Sequence, residues 1–336
     1  MATIADVARR AGVAPSTVSY VLSGKRAISP ATRAKVEESA RALGYLTQQA
    51  PRGAARRTGV LGLVAPLRAG THLPVLMRFV SAVTTAAHRH GNDVLLLTAD
   101  TGADGLGQAV QRGGVDGLVV LDVELRDARA PVLRAMDRPS VLIGFPVDPT
   151  GLTCVDLDFT AAGALCLDHL ADLGHHCVAL LGSPQLVYHR DTGYAHRTMA
   201  GFTAAAIRRG VSVLTRATDE QLPSVRRTVT ALLREQPRLT ALVVHNEGAL
   251  PSVLTCLREL GRDVPADLSV VAICPDELAE RARPRLTSVH LPAEELGARA
   301  VDLLAARLAG VRPPALTLLP PRLTERASAH RRRPGS

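Results

Sequence analysis

The chain has 336 residues, 46% hydrophobic and 21% charged, which excludes disorder throughout and, at ~100–200 residues per domain, predicts two or three domains. No apolar run reaches the ~18–20 residues that span a bilayer. The opening MATIADVARRAGVAPSTVS lacks the charged and apolar regions of a secretory signal, so a cytoplasmic location without membrane contact is expected. Five Cys, odd in number and with no CxxC spacing, argue against a disulfide framework or a zinc site. The net charge of +9 is unevenly spread. Residues 1–58 hold ten Arg/Lys and three Asp/Glu, residues 59–321 hold 25 and 27, and residues 322–336 hold five and one. Concentrated positive charge raises affinity for polyanions by counterion release, which makes nucleic acid the first partner to weigh against a solvated basic face. The basic tail from His330, assigned as 331–336, is expected to be a disordered, solubilising end.

From the N-terminus, Ile4, Val7 and Ala8 recur at the spacing of one helix face, and Gly12 suits the turn that follows. Pro15 can open a second helix, in which Val18, Val21 and Leu22 repeat the pattern before Ser23-Gly24 ends it. Ser29 and Pro30 fit the N-cap and first position of a third helix, with Val36, Ala40 and Leu43 on its apolar face and Gly44 at its stop. Three short helices with a Gly turn between the first two describe a DNA-binding helix-turn-helix.

The run TIADVARRAGVAPSTVSYVLSGKRAISPATRAKVEESARALGY, Thr3 to Tyr45, resembles the DNA-binding head of the lactose repressor family of bacterial transcription regulators. The resemblance implies that the second helix lies in the major groove. Pro15, Ser16 and Tyr20 then fall where the family reads bases, and Thr17 and Ser19 carry hydroxyls suited to phosphates. Tyr20 replaces an Arg frequent in the family. Arg makes a bidentate contact to guanine, whereas Tyr offers one hydrogen bond or packs on a thymine methyl. The head is assigned to 1–46 and a hinge or linker to 47–58. Ala54 stands where the family inserts a Leu into the minor groove and is too small to act as a wedge. Pro51 and Gly53 are poor helix-interior residues. Arg52, Arg56 and Arg57 are the candidates to replace the wedge electrostatically, an ordinary basic linker being the alternative.

From Gly59 short apolar runs alternate with amphipathic stretches. Strands are predicted at 60–65, 93–98, 117–121, 141–144, 178–181, 241–244 and 268–273. Helices are predicted at 74–90, 105–112, 130–136, 159–173, 197–209, 224–235 and 251–260. Alternating β and α in two series predicts two Rossmann-like α/β subdomains with parallel sheets and a cleft at the strands' carboxyl ends. No GxxxxGK[ST] and no GxGxxG after the first strand is present, and Gly102, Gly105 and Gly107 read as turn glycines. HLADLGHHCVALLGSP, DVPADLSVVAI, PRLTSVHLPAEELGARAVDLL and LPPRLTERAS extend the resemblance through this body. The family's body is similar to periplasmic sugar-binding proteins. The likeness implies an effector-binding and dimerisation domain over 59–330, one subdomain taking 59–157 and 289–317, the other 158–288 and 318–330.

The resemblance also implies a small effector between the subdomains, sugar or nucleoside-like. Asn246 stands where the family has Asn-Asp, with Glu247 in place of the Asp and a helix cap as the other reading of Asn246. Arg197 resembles the family's pocket Arg, a surface Arg being its alternative. Cys274 stands at a sugar-contacting Asp position, which Asp276 can replace only if Pro275 redirects the loop. Asp100 at a strand end and Tyr188, His189 and Arg190 in the loop after Pro184 are further candidates, solvated loop residues being the alternative. His175, His176 and Cys177 are adjacent, so their side chains diverge and no metal or other cofactor is expected. These features imply a regulator of transcription, not an enzyme. It acts as a homodimer that reads a pseudo-palindromic operator under the control of a small molecule. A regulator that has lost its effector response and a solute-binding module are the alternatives.

Overall fold

In the computed structural model, residues 3–23, 28–43, 57–100 and 102–332 are described. The chain divides into two compact units, Met1–Thr58 and Gly59–Ser336.

The described residues of the first unit are helical, and local chemistry fixes both ends of the first helix and the start of the third. Thr3 and Asp6 form a reciprocal capping box at the start of α1 (Ile4–Ala11). Gly12 closes α1 at φ 67°, a left-handed turn that favours glycine. α2 (Pro15–Ser23) follows, and Ser29 Oγ accepts from Thr32 N at 3.2 Å where α3 (Pro30–Ala42) begins. Val7, Ala8, Val18, Val21, Val36 and Ala40 are buried together, so the three helices share one small core. Gly24 and Gly44, expected to end the second and third helices, and the hinge positions Pro51, Arg52, Gly53, Ala54 and Arg56 lie outside the described residues.

The second unit alternates strands and helices in chain order. β1 (Val60–Val64), α4 (Leu73–Arg89), β2 (Asp93–Leu97), α5 (Gly102–Gly113), β3 (Gly117–Val120), α6 (Ala130–Ala135), β4 (Ser140–Ile143) and β5 (Cys154–Leu157) come first. Next are α7 (Phe159–Asp172), β6 (Cys177–Gly182), α8 (Gln185–His189), α9 (Gly193–Arg209), β7 (Ser212–Ala217), α10 (Leu222–Glu235), β8 (Ala241–Val244), α11 (Leu250–Glu259), β9 (Ser269–Cys274), α12 (Asp276–Arg281) and β10 (Thr287–His290). The end of the chain contributes α13 (Ala293–Leu308), β11 (Leu316–Leu319) and β12 (Leu323–Thr324). One sheet has the order β11-β5-β4-β3-β1-β2 and is wholly parallel. The other is β12-β10-β9-β8-β6-β7, parallel except where β12 runs against β10. Central strands such as β3, β6, β8 and β9 are buried along their whole length, as expected for a sheet covered by helices on both faces.

The chain passes between the sheets three times, after β5, after β10 and after β11. The second and third passages come later than the likeness implied. Val289 still pairs with Ile273 in the second sheet, and Leu318 still pairs with Asp156 in the first. Gly102, Gly105 and Gly107, expected in a turn, lie within α5, where Leu106 and Val110 bury one helix face and hold the segment helical. α9 begins at Gly193, ahead of the expected start at Arg197.

The tail also departs from expectation as far as Arg332. His330 N donates to Ser269 Oγ at 3.3 Å, and Arg332 N donates to Leu173 O at 2.8 Å. His175 is buried between Thr240 Oγ1 (2.9 Å) and the His330 carbonyl (3.2 Å), with its pKa lowered by burial to about 4. It therefore serves as a neutral clasp for the tail. Residues 333–336 lie outside the described ones.

α7 and α9 approach so closely that glycine is required on both. A Cβ on Gly163 would overlap the Thr198 carbonyl oxygen, and one on Gly201 would overlap that of Thr160. These obstacles are backbone and cannot rotate away. Gly201→Ala is expected to destabilise the body by at least ~1–3 kcal/mol, the usual range for overpacking, and to lower its melting temperature by several degrees. Gly107→Ala, with nothing within 4 Å of its Cβ, should be neutral or stabilising. Thermal denaturation of both variants checks the contrast.

Candidate nucleic-acid face and inter-subdomain cavity

On α2 the side chains divide by face. Val18 and Val21 turn into the small core, while Pro15, Ser16 and Ser19 are exposed, Tyr20 is 38% exposed and Thr17 is half-buried. At about 100° per residue, Pro15, Ser16, Ser19 and Tyr20 fall within one arc of the helix opposite those valines. α2 therefore offers hydroxyls and one phenol on a contiguous surface, within a stretch of sequence, residues 1–58, that carries an excess of basic charge. Arg57 is exposed just before the body begins, and Arg52, Ala54 and Arg56 are not among the described residues.

Within the body, the carboxyl ends of both sheets open onto one cavity of about 160 Å³. It is reached by Leu121, Asp122 and Val123 after β3, Asp156 in β5, Ser183 and Pro184 after β6, and His245, Asn246 and Glu247 after β8. This is where open parallel sheets bind ligands, because loops and strand ends converge there. Three of the chain's eight Phe and Tyr residues, Phe79, Phe159 and Tyr194, line it. Phe159, Tyr194 and His245 also pack against one another with ring centroids 5.6–5.7 Å apart, forming an aromatic wall.

Three buried polar atoms on residues that line the cavity lack partners among the described residues: Asp156 Oδ2, His245 Nδ1 and Arg190 Nε. Asp156 is 3% exposed. Its Oδ1 accepts from Leu157 N at 3.0 Å, and burial pushes its pKa up to about 7 against the pull of Arg197. His245 is equally buried, and burial lowers its pKa to about 4, so its ring is neutral at pH 7. Across the cavity His72 Nδ1 lies 2.9 Å from Glu220 Oε1. Burial raises the pKa of Glu247, with Glu220 adding to the rise and His72 opposing it.

Of the candidate ligand residues, Arg190 and Asn246 line this cavity and the other six do not. Asn246 does not cap a helix with its side chain; its Nδ2 donates to Thr218 O at 2.7 Å, and Arg190 Nη1 donates to Ala69 O at 2.9 Å. Asp100 is drawn off by two hydrogen bonds from Arg68, at 2.9 and 2.8 Å, which hold its carboxyl below the usual range. Tyr188 packs edge-on against His196, with its hydroxyl pushed up to about 12 by burial, and His189 is exposed. Arg197 lies flat on Phe145, 3.4 Å from the ring centroid, and donates to the Phe145 carbonyl at 2.7 Å. Cys274 is fully buried at the end of β9, its thiol pushed up to about 12 by burial. Asp276 does not replace it, because Arg326 holds that carboxylate at 3.0 Å.

Asp156 and His245 were not singled out from the sequence. The available signals were a carboxylate inside the apolar run Cys154–Leu157 and a His beside Asn246 at the end of an apolar strand. Among the described residues, no group of three or more His, Cys, Asp or Glu is arranged to hold a metal, and no helix is long and apolar enough to cross a membrane.

A helix-turn-helix with a polar reading face, attached to a two-sheet ligand-binding body, defines a DNA-binding transcriptional regulator. Residues 3–48 match the family of bacterial regulatory proteins, lacI family, and residues 167–329 match the periplasmic binding protein-like domain. The HTH-type transcriptional repressor PurR of Proteus mirabilis is 29% identical over 338 residues, which cover 98% of this chain and 97% of that one. Among solved structures, the transcriptional regulator CelR–cellobiose complex superposes with a TM-score of 0.70 at 28% identity, covering 98% of this chain and all of that one. The lac repressor dimer bound to operator and the anti-inducer ONPF does so with 0.71 at 26%, covering 98% and 99%. The chain thus carries a lacI-family DNA-binding head and a periplasmic binding protein-like body. These relatives are named as regulators, not as enzymes.

The raised pKa of Asp156 carries a sign. A carboxyl that titrates near 7 when folded and near 3.8 when free contributes stability that is complete below about pH 4 and is lost as pH rises through 7. Asp156→Asn should therefore melt above the wild type at pH 8, with the gap closing by pH 4. Melting curves across pH 4–8 check this, and a gap independent of pH would contradict the assignment.

Proposed function

We propose that the protein is a homodimeric repressor of transcription. Residues 1–46 read a pseudo-palindromic operator, residues 47–58 act as the linker, and a small molecule in the body's cavity sets the affinity. The subdomains are residues 59–157 with 291–319 and residues 158–290 with 320–330, the second and third boundaries following the ends of β10 and β11. It works in the cytoplasm, where the chromosome is, as an effector-responsive regulator and not as a solute carrier or enzyme. The observation that carries the reading is the polar arc Pro15, Ser16, Ser19 and Tyr20 on α2, in a head that matches the lacI family over residues 3–48.

Homodimerisation is supported by the lac repressor dimer among the structural neighbours. A symmetric pair of heads reads two half-sites of a symmetric sequence. The cavity supports an effector of one ring. Its volume of about 160 Å³ is of the order of the ~150 Å³ apolar cavity that takes benzene. The aromatic wall favours a ligand with one apolar face. The unpartnered atoms of Asp156, His245 and Arg190 favour a ligand that also carries hydrogen-bond donors and acceptors. Cellobiose, the ligand named with CelR, has two rings, so a smaller sugar or a nucleobase-like ring fits this cavity better.

Selection of duplexes from a random pool, then titration of the winner at two salt concentrations, tests the reading. A palindromic sequence bound far more tightly than random DNA at both salts is expected. Enrichment of no sequence, with binding that vanishes as salt rises, would contradict it. Tyr20→Arg should shift the preference at the base pair it faces toward guanine by about 1–3 kcal/mol, read by repeating the selection.

A further inference from the structure

The two subdomains are joined by more than the three chain passages. An antiparallel bridge pairs Glu124, in the loop after β3, with Thr192, just before α9. Leu125 N donates to Asp191 O at 2.7 Å, and Gly193 N donates to Val123 O at 3.0 Å. Among the described residues only Asp122 (φ 55°) and Asp191 (φ 56°) adopt positive φ without being glycine, and they flank this bridge on either side. Backbone in that region is strained for a side-chain-bearing residue, and such strain gathers at switches and ligand clamps.

The two halves of the bridge are built differently. The β3 side is braced by a buried ion pair. Asp127 accepts from Arg129 Nη2 at 2.6 Å and from Glu124 N at 3.1 Å, and Arg129 donates to the Leu121 and Asp122 carbonyls. Arg68 adds bonds to Asp122 and Glu124 at 3.1 and 2.8 Å. The α9 side is left poorly satisfied. Arg190 Nε, the fully buried Thr192 Oγ1 and Arg197 Nη1 have no partner among the described residues. Asp122 and Val123 on one side and Arg190 on the other line the cavity, so an occupant touches both halves.

We infer that the pairing of residues 123–125 with 191–193 is a releasable strap: occupancy of the cavity decides whether it holds, and the strap transmits that state to operator affinity. The inference rests on the function proposed above. The braced half stays fixed, and the half with the unpartnered buried groups moves. A ligand that binds the paired and released arrangements unequally shifts the balance by that difference alone.

A disulfide tests it without knowledge of the effector. Glu124 and Thr192 form a non-hydrogen-bonded antiparallel pair, whose Cα atoms lie ~4.5 Å apart in such pairs, within the ~4.4–6.8 Å a disulfide spans. All five native cysteines are buried. In the full-length Glu124→Cys/Thr192→Cys protein, oxidised with glutathione disulfide and checked by mass, the affinity for the duplex selected by the wild type should differ at least about fivefold from that of the reduced protein. Wild type treated identically should not change. Asp191→Gly, which removes the left-handed strain, should shift affinity in the same direction as the disulfide without any cross-link. Equal affinity of fully oxidised and reduced protein, failure of the disulfide to form, or no shift in Asp191→Gly would each overturn the strap. Failure of the operator reading is distinguishable, because the wild type itself would then select no duplex, and the strap would fall with it.

Discussion

Parallel strands all end on the same side of their sheet, and a chain that crosses between two such sheets three times turns those ends toward a common space. The passages after β5, β10 and β11 impose that arrangement here. The cavity, its polar groups and its aromatic wall follow from it. Asp156 is the penultimate residue of β5 before the first passage, and Phe159 opens the helix just beyond. Leu291 lines the cavity from the second passage. The cavity lining draws on both subdomains, so a ligand held there touches both.

The electrostatics of the two units differ as their partners do. The first unit concentrates positive charge and leaves hydroxyls exposed on α2, which serves approach to a polyanion and short-range reading of it. The body is nearly neutral overall, and burial in its cavity shifts groups toward their uncharged forms: His245 is neutral and Asp156 is poised near 7. Such groups discriminate by hydrogen-bond pattern, because a ligand that leaves them unpaired forfeits their desolvation.

Legibility in the sequence tracked how local the determinants were. The helices of the head were readable from Val7/Ala8 and Val18/Val21 spacing and from caps set within three residues, such as Ser29 with Thr32. β1, β3 and β8 were readable because strands buried on both faces are continuous apolar runs. β7, with Thr215 and Arg216 and only half-buried, carries no such run, and neither do the short edge strands β11 and β12. In the cavity, Asn246 and Arg190 were reachable from family likeness and loop position. Asp100 and Asp276 were not separable from cavity residues, because what removes them is Arg68 and Arg326, which are 32 and 50 residues away in sequence. Asp156 and His72 reach the cavity only through tertiary passages and pairings that no local pattern encodes.

The central claim is that the cavity and the reading face are energetically linked, and one titration tests it most directly. Neutral single-ring compounds are screened for the largest rise in melting temperature. Operator affinity of the full chain is then measured with and without a saturating amount of the best of them. The account predicts an affinity change of about fivefold or more that is weakened by Asp156→Asn. A ligand that raises the melting temperature yet leaves operator affinity unchanged would contradict it.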